Sequence, residues 1–215
     1  MNVVIVGGGA ALAQPIVDHW GKGSEWQVTV VCRNKTPVRP CAGMVIKYDV
    51  VDVCEPWDVL VTLTGDIDNA PLTEMSTEQW QKVLEANLTQ PFEALRALLP
   101  YARNPSNVVI VGSIAGRLGG RGCANYAASK AGLVGLVGAA ANENWDRGIC
   151  INLLELGYMD VGMGARLSEK VRESTKLAIP LRGFGTVEDF VLAVEFLSKT
   201  RYMTANVLTL AGGLR

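Results

Sequence analysis

Val3-Val4-Ile5-Val6-Gly7-Gly8-Gly9-Ala10-Ala11-Leu12-Ala13 passes from a β-branched run, through three glycines, into the start of a helix. An unbroken apolar run of this kind suits a strand covered on both faces. Glycines directly after it permit a tight turn, and the helix that follows presents its N-terminus to the turn. The rest of the chain repeats the alternation. Gln27 to Val31, Val45 to Lys47, Val59 to Leu63, Val108 to Val111, Cys150 to Leu154 and Val207 to Leu210 read as further strands. Amphipathic or apolar stretches of helical length lie between most of them, which argues for an α/β fold with a doubly wound parallel sheet. Ser76 with Gln79 forms a capping box before Trp80-Leu88, and Thr186 with Asp189 forms one before Phe190-Leu197. There is no internal repeat, linker or low-complexity tract, and 215 residues suit one domain, taken as residues 1–215.

One connection is unusually short. Between Asp49, ending the third strand, and Asp58, opening the fourth, stand only Val50-Val-Asp-Val-Cys-Glu-Pro-Trp57. In a sheet of order 3-2-1-4 this link crosses roughly 14 Å at about 4.8 Å per strand. Eight residues reach that far when extended, at about 3.3 Å each, and leave no room for a helix. The expectation is that the helix between strands 3 and 4 is missing and that Trp57 and Val50 help to cover the sheet there.

Composition excludes several classes of function. Lys+Arg 20 against Asp+Glu 21, with no basic block, gives no surface for nucleic acid or acidic lipid. The five cysteines are scattered without a C-x-x-C pair, which suits reduced thiols in the cytoplasm. With one histidine, His19, and no cysteine cluster, a metal site has little to be built from. The apolar N-terminus lacks a positive flank and glycines interrupt it, so no signal peptide is expected. Ala131 to Ala141 is too short and glycine-rich to span a membrane.

Asn125-Tyr126-Ala127-Ala128-Ser129-Lys130 carries the chemistry. Four residues apart on a helix, Tyr126 and Lys130 share one face. At ~4 Å and an effective dielectric of ~20 an ammonium favours a phenolate by about 4 kcal/mol, an upper bound near three pKa units. That would bring the phenol toward neutrality, where it could exchange a proton with a carbonyl or alcohol oxygen. Ser113 stands just after Val108-Val109-Ile110-Val111, at a strand end. Together with the N-terminal glycine turn, these residues resemble the short-chain dehydrogenase/reductase family. With Ile179-Pro-Leu-Arg-Gly-Phe-Gly-Thr-Val-Glu-Asp189 and Leu208-Thr-Leu-Ala-Gly-Gly213, the chain is similar to its beta-ketoacyl carrier-protein reductases and the alcohol and sugar dehydrogenases built like them. The likeness implies a Rossmann-like sheet and a catalytic set of Asn87, Ser113, Tyr126 and Lys130. By that likeness Ser113 orients the substrate carbonyl and Tyr126 supplies the proton. Lys130 lowers the tyrosine pKa and holds the nicotinamide ribose, and Asn87 kinks its helix and supports a water in a proton relay.

The same resemblance implies a dinucleotide groove made by Gly7, Gly9, Ala11, Leu12, Arg33, Asp49, Val50, Thr64, Gly65, Tyr126, Lys130, Gly157 and Val161. Several of these depart from the family pattern Gly-x-x-x-Gly-x-Gly, since Ala11 and Ala13 replace its second and third glycines. Thr62-Leu-Thr-Gly65 stands for Asn-Asn-Ala-Gly, Leu156 replaces a proline, and Val161 replaces the threonine that holds the nicotinamide amide. Arg33, where an acidic residue would bind the ribose of NAD, suits the 2′-phosphate of NADP. The cofactor expected is therefore NADP(H), with NAD(H) as the alternative.

The expected activity is reduction of a carbonyl or oxidation of a secondary alcohol on a small molecule. Ile114, Ala115, Arg121, Cys123, Tyr158 and the Val161-Arg172 segment are candidate pocket walls, with Arg166 and Arg172 available to an anion. Carrier-protein reductases often carry an arginine after the catalytic helix, and this chain has Asn142. The rival reading is a family member that kept the fold as a structural or sensing module while its cofactor site decayed. An isomerase or dehydratase using the same Tyr and Lys is a third. The helices around Trp80-Leu99 and Ala127-Ala141 have more apolar positions than one sheet-facing stripe needs. Family members usually pair such helices between subunits, so the resemblance implies a homodimer or homotetramer.

Overall fold

Strands whose two faces are both covered have no use for polar alternation, and the strands of this chain are near-continuous runs of Val, Ile and Leu for that reason. The computed structural model describes residues 1–22, 26–32, 38–39, 44–47 and 49–215. The strands are β1 (Asn2–Val6), β2 (Gln27–Val31), β3 (Val45–Lys47), β4 (Trp57–Thr62), β5 (Ala102–Ser113), β6 (Ile149–Leu156) and β7 (Val207–Leu210). All pair in parallel in one sheet of order β3-β2-β1-β4-β5-β6-β7. Helices α1 (Ala13–Trp20) and α7 (Val187–Lys199) cover one face. The other lies under α3 (Gln90–Leu98) and α5 (Ala124–Asn142), with α2 (Thr77–Leu84) leading into α3. Both expected capping boxes are formed, at Ser76/Gln79 and Thr186/Asp189.

The short link behaves as expected. Among its residues the one regular element is a 3-10 turn at Val50–Asp52, opened by the N–H of Val51 donating to Asp49 Oδ1 at 3.3 Å. Buried Val53 and Trp57 do the covering, with Val50 at the margin, and Trp57 Nε1 donates to Leu98 O at 2.9 Å. Trp57 opens β4, ahead of the apolar run Val59 to Leu63, and its ring belongs to the core. Where a helix would have lain, the sheet carries Asn2, Gln27 and Thr29 beside a shallow cavity of about 40 Å³. Polar side chains on that row let the face meet water without a helix over it.

Parallel strands align their C-terminal ends, and the chain's unusual groups gather at that edge. There lie the glycine turn after β1, the loop after β4, Ser113 closing β5, and the segment after β6. The last contains α6 (Glu169–Ala178), a helix with no buried residue. Between β5 and α5 sits the short α4 (Ala115–Leu118).

Candidate active site

Tyr126 and Lys130 both turn inward from α5. Lys130 Nζ lies 5.7 Å from the centroid of the Tyr126 ring and donates to Val111 O at 3.3 Å. Ser113 hydrogen-bonds to the Tyr126 side chain. The electrostatics differ from the sequence expectation. Burial raises the phenol above its ordinary pKa, the Ser113 hydrogen bond pulls it partly back, and nearby Cys123 adds to the rise. The same burial lowers the Lys130 ammonium from 10.5 to about 8. Proximity alone would have favoured a phenolate, but removal of water from both groups outweighs their attraction, so in this state Tyr126 holds its proton.

Asn87 is fully buried in a π-helical turn, Glu85–Thr89, between α2 and α3. A turn of this kind misaligns helix carbonyls, and Asn87 Nδ2 donates to Val83 O at 2.8 Å and to Asp66 O at 2.7 Å. Its Oδ1 has no partner among the described residues. A methyl at Gly65 would stand 2.8 Å from that oxygen and 3.6 Å from Lys130 Nζ, so both polar atoms border the same glycine. Ser113, Tyr126, Lys130 and Asn87 thus come together as the sequence reading placed them.

The groove residues are built mostly from backbone. Gly7 has φ +98°, and a Cβ there would stand 2.9 Å from the backbone of Leu63 and Thr64. Gly9 has nothing within 4 Å of where a side chain would begin. Among the described residues the N–H groups of Gly9, Ala11 and Leu12 have no partner, and they open the N-terminal end of α1. Unpartnered N–H groups, open space over Gly9 and a helix N-terminus suit a pyrophosphate, so the turn fits a dinucleotide. Thr64 Oγ1, next to the turn, is buried without a partner among the described residues. Asp49 accepts from the Val51 N–H with one carboxylate oxygen, and Val50 stands beside it. Gly157 packs so tightly that a Cβ would meet Ala211 Cα at 2.8 Å. Val161, Ala10 and Leu12 all pack against one apolar cluster, and a Cβ at Gly162 would lie 3.3 Å from that of Ala11. Arg33 lies outside the described residues.

Arg172 is a correction. Its guanidinium donates to Asp160 Oδ1 at 2.8 Å and to Gly164 O at 3.1 Å, and lies 4.7 Å over the Phe184 ring, which stacks on Tyr158. It clips α6 to the segment after β6 and is not poised for an anion. Two arrangements escaped the sequence reading. Arg117 Nε donates at 2.9 Å to Glu155 Oε2, a carboxylate buried on β6 beside Thr209. Asn125, preceding the tyrosine, is fully buried and hydrogen-bonded on every side. The signal for Asn125 was present: an amide in the first turn of a helix that opens on Cys123, a poor cap.

Among the described residues no group of His, Cys, Asp and Glu could hold a metal, and no helix is long and apolar enough to cross a membrane. The family profile described as enoyl-(acyl carrier protein) reductase matches residues 46–215. The 3-oxoacyl-(acyl-carrier-protein) reductase of Thermotoga maritima is 36% identical over 161 residues, covering 73% of this chain and 65% of that one. The Chlamydia muridarum protein of the same name is 28% identical over 210 residues, covering 96% and 82%. The first alignment thus spans less than two thirds of its relative. A short-chain dehydrogenase family protein from Francisella tularensis superposes with TM-score 0.90 at 16% identity, covering 99% of this chain and 97% of that one. Sequence and architecture agree, and the chain belongs to the short-chain dehydrogenase/reductase family.

Proposed function

We propose that this chain is an NADP(H)-dependent oxidoreductase that interconverts a carbonyl and a secondary alcohol on a small molecule, with NAD(H) as the alternative cofactor. One observation carries the reading: Ser113, Tyr126, Lys130 and Asn87 meet at the strand edge beside a glycine turn that fits a dinucleotide. When bound, the nicotinamide cofactor supplies or accepts the hydride. Backbone N–H groups of Gly9, Ala11 and Leu12, freed by the turn at Gly7, would hold the pyrophosphate. Asp49 and Val50 would meet the adenine, Thr64 and Gly65 a ribose, and Gly157 and Val161 the nicotinamide, with Arg33 for the 2′-phosphate. Ser113 orients the carbonyl through its hydroxyl.

Tyr126, kept protonated by burial, gives its phenolic proton to the carbonyl oxygen. Lys130 holds the ribose as an ammonium below about pH 8 and stabilises the phenolate left after transfer. The unpartnered Oδ1 of Asn87 supports a water that returns a proton to the phenol. The relatives' reductase names support a carbonyl substrate. We take residues 1–215 as one domain and its location as cytoplasmic. Phe92 and Val134 are exposed on α3 and α5, and nothing among the described residues lies within 4 Å of where a Cβ would stand at Gly135 or Gly138 of α5, which supports assembly as a homodimer or homotetramer. A strict monomer at micromolar concentration would exclude that assembly.

Fluorescence titration with NADPH and NADH, followed by cofactor consumption with a panel of ketones, tests the reading. Binding with consumption is expected. Binding of neither nucleotide favours the rival, a cofactor-impaired structural or sensing module, for which the replaced positions Ala11, Thr62, Leu63, Leu156 and Val161 speak.

A further inference from the structure

A helix leaves its first N–H groups without internal partners, and a side-chain oxygen usually takes one of them. The residue before α5, Cys123, makes no such bond. Asn125 does it from inside the first turn: the N–H of Tyr126 donates to Asn125 Oδ1 at 2.8 Å. The same amide donates through Nδ2 to Asp68 O at 2.9 Å and to Gln79 O at 3.2 Å. One fully buried side chain thereby uses its acceptor and both donors on three different elements, α5, the loop after β4, and α2.

That loop is the wall of the site. Gly65 within it borders Asn87 Oδ1 and Lys130 Nζ. Asn87 fastens it at Asp66 O, and Asn125 fastens it two residues later at Asp68 O. Gln79 Nε2 adds a bond to Asp68 Oδ1 at 2.9 Å. Of these anchors Asn125 is the one whose neighbour in sequence bears the phenol.

We infer that Asn125 is a positioning residue, which sets the Tyr126 phenol against the Gly65-Asp68 wall and Lys130 by tying both to one buried amide. The inference rests on the reading of Tyr126 as proton donor. Asn125→Ser keeps an oxygen for the Tyr126 N–H and loses both donors to the wall. A wall that loosens admits water to Tyr126 and Lys130, and the phenol shifts against the bound cofactor.

The experiment measures turnover with NADPH and a ketone that the unaltered protein reduces, the alkaline limb of kcat/KM, NADPH affinity and thermal stability. Alongside, an ultraviolet titration of the Tyr126 phenol is read as the difference from Tyr126→Phe. In Asn125→Ser, kcat falls roughly 10-fold, the scale expected of a small misplacement. NADPH affinity stays near its starting value, the alkaline limb moves up from about pH 8, and the phenol ionises at lower pH. Should that variant not fold, Asn125→Thr, which fills more of the space and keeps the hydroxyl, is measured to the same criteria. A lower melting temperature with kcat, limb and phenol titration all unmoved overturns the inference and leaves Asn125 a rivet. If the unaltered protein reduces no ketone, the functional reading fails by itself, and the phenol titration still decides whether Asn125 places Tyr126.

Discussion

The two ends of the cleft are built from different materials. At the proposed chemical end the working atoms belong to side chains, and two of them are held by specific bonds, Asn87 by Val83 and Asp66 and Lys130 by Val111. At the proposed cofactor end the groups on offer are main-chain N–H and the shape of a turn, with Gly7 held left-handed against Leu63 and Thr64. The difference accounts for where the chain departs from its family. Ala11, Leu156 and Val161 replace characteristic residues at the cofactor end, whereas Asn87, Ser113, Tyr126 and Lys130 match them all. A site made of backbone survives changes of side chain that keep the turn, whereas a proton donor cannot be replaced by anything of similar shape. Each end should therefore fail in its own way.

The sharpest break is Tyr126→Phe, which removes one oxygen and keeps the ring. Turnover should fall by about 10²–10⁴, the usual weight of a general acid, while NADPH binding by fluorescence stays close to its starting value. An unchanged rate would end the assignment of the phenol. At the opposite end, Gly7→Ala should cost binding as well as stability. It forces an alanine to φ +98° with its methyl 2.9 Å from backbone atoms. Strain of this kind costs about 1–3 kcal/mol, and nucleotide affinity should drop with the melting temperature. If nucleotide binding survives intact in a folded Gly7→Ala protein, the turn is not the cradle.

Sequence patterns carried the architecture further than the electrostatics. Strand runs, both capping boxes and the missing helix are local or nearly local matters, set by periodicity, cap chemistry and the length of a link. The approach of Ser113, Tyr126 and Lys130 followed from helical spacing and from a strand end. Spacing could not reveal how dry the pocket would be, because burial depends on the packing of every element around α5. Hence the sequence reading lowered the phenol's pKa, and the folded chain raises it. Arg172 teaches the same lesson, since Phe184 and Asp160, its partners, are 12 residues away on opposite sides in sequence. Asn125 and the Arg117–Glu155 pair also depend on contacts that no local pattern announces.

Lys130 ties pH to both activity and stability. Its pKa is about 8 folded against 10.5 free, so between these values the unfolded chain binds more protons. Stability should therefore rise with pH across that window, and the burden of the buried charge is present in full below it. That gap corresponds to about 3 kcal/mol. Lys130→Met should accordingly melt higher than the unaltered protein near pH 7 while losing turnover. In the unaltered protein kcat/KM for reduction should decline above about pH 8 as the ammonium is lost. Activity that holds flat to pH 10 would mean that Lys130 does not serve as a cation.

Val161→Thr is the gentlest probe and the one that bears most directly on the cofactor end. Val161 and threonine have nearly the same shape, so packing against the cluster it shares with Ala10 and Leu12 should be little disturbed. The new hydroxyl would stand where the family places its contact to the nicotinamide amide. One added hydrogen bond is worth about 1 kcal/mol net, so nucleotide affinity should improve about 5-fold, with kcat changing less. The chain at Gly162 passes close to Ala11, since a Cβ built on Gly162 would lie 3.3 Å from the Ala11 methyl. If affinity does not rise, the missing hydroxyl is not what limits binding, and Ala11→Gly, which removes the methyl standing where the family pattern has glycine, should then raise it where the hydroxyl failed.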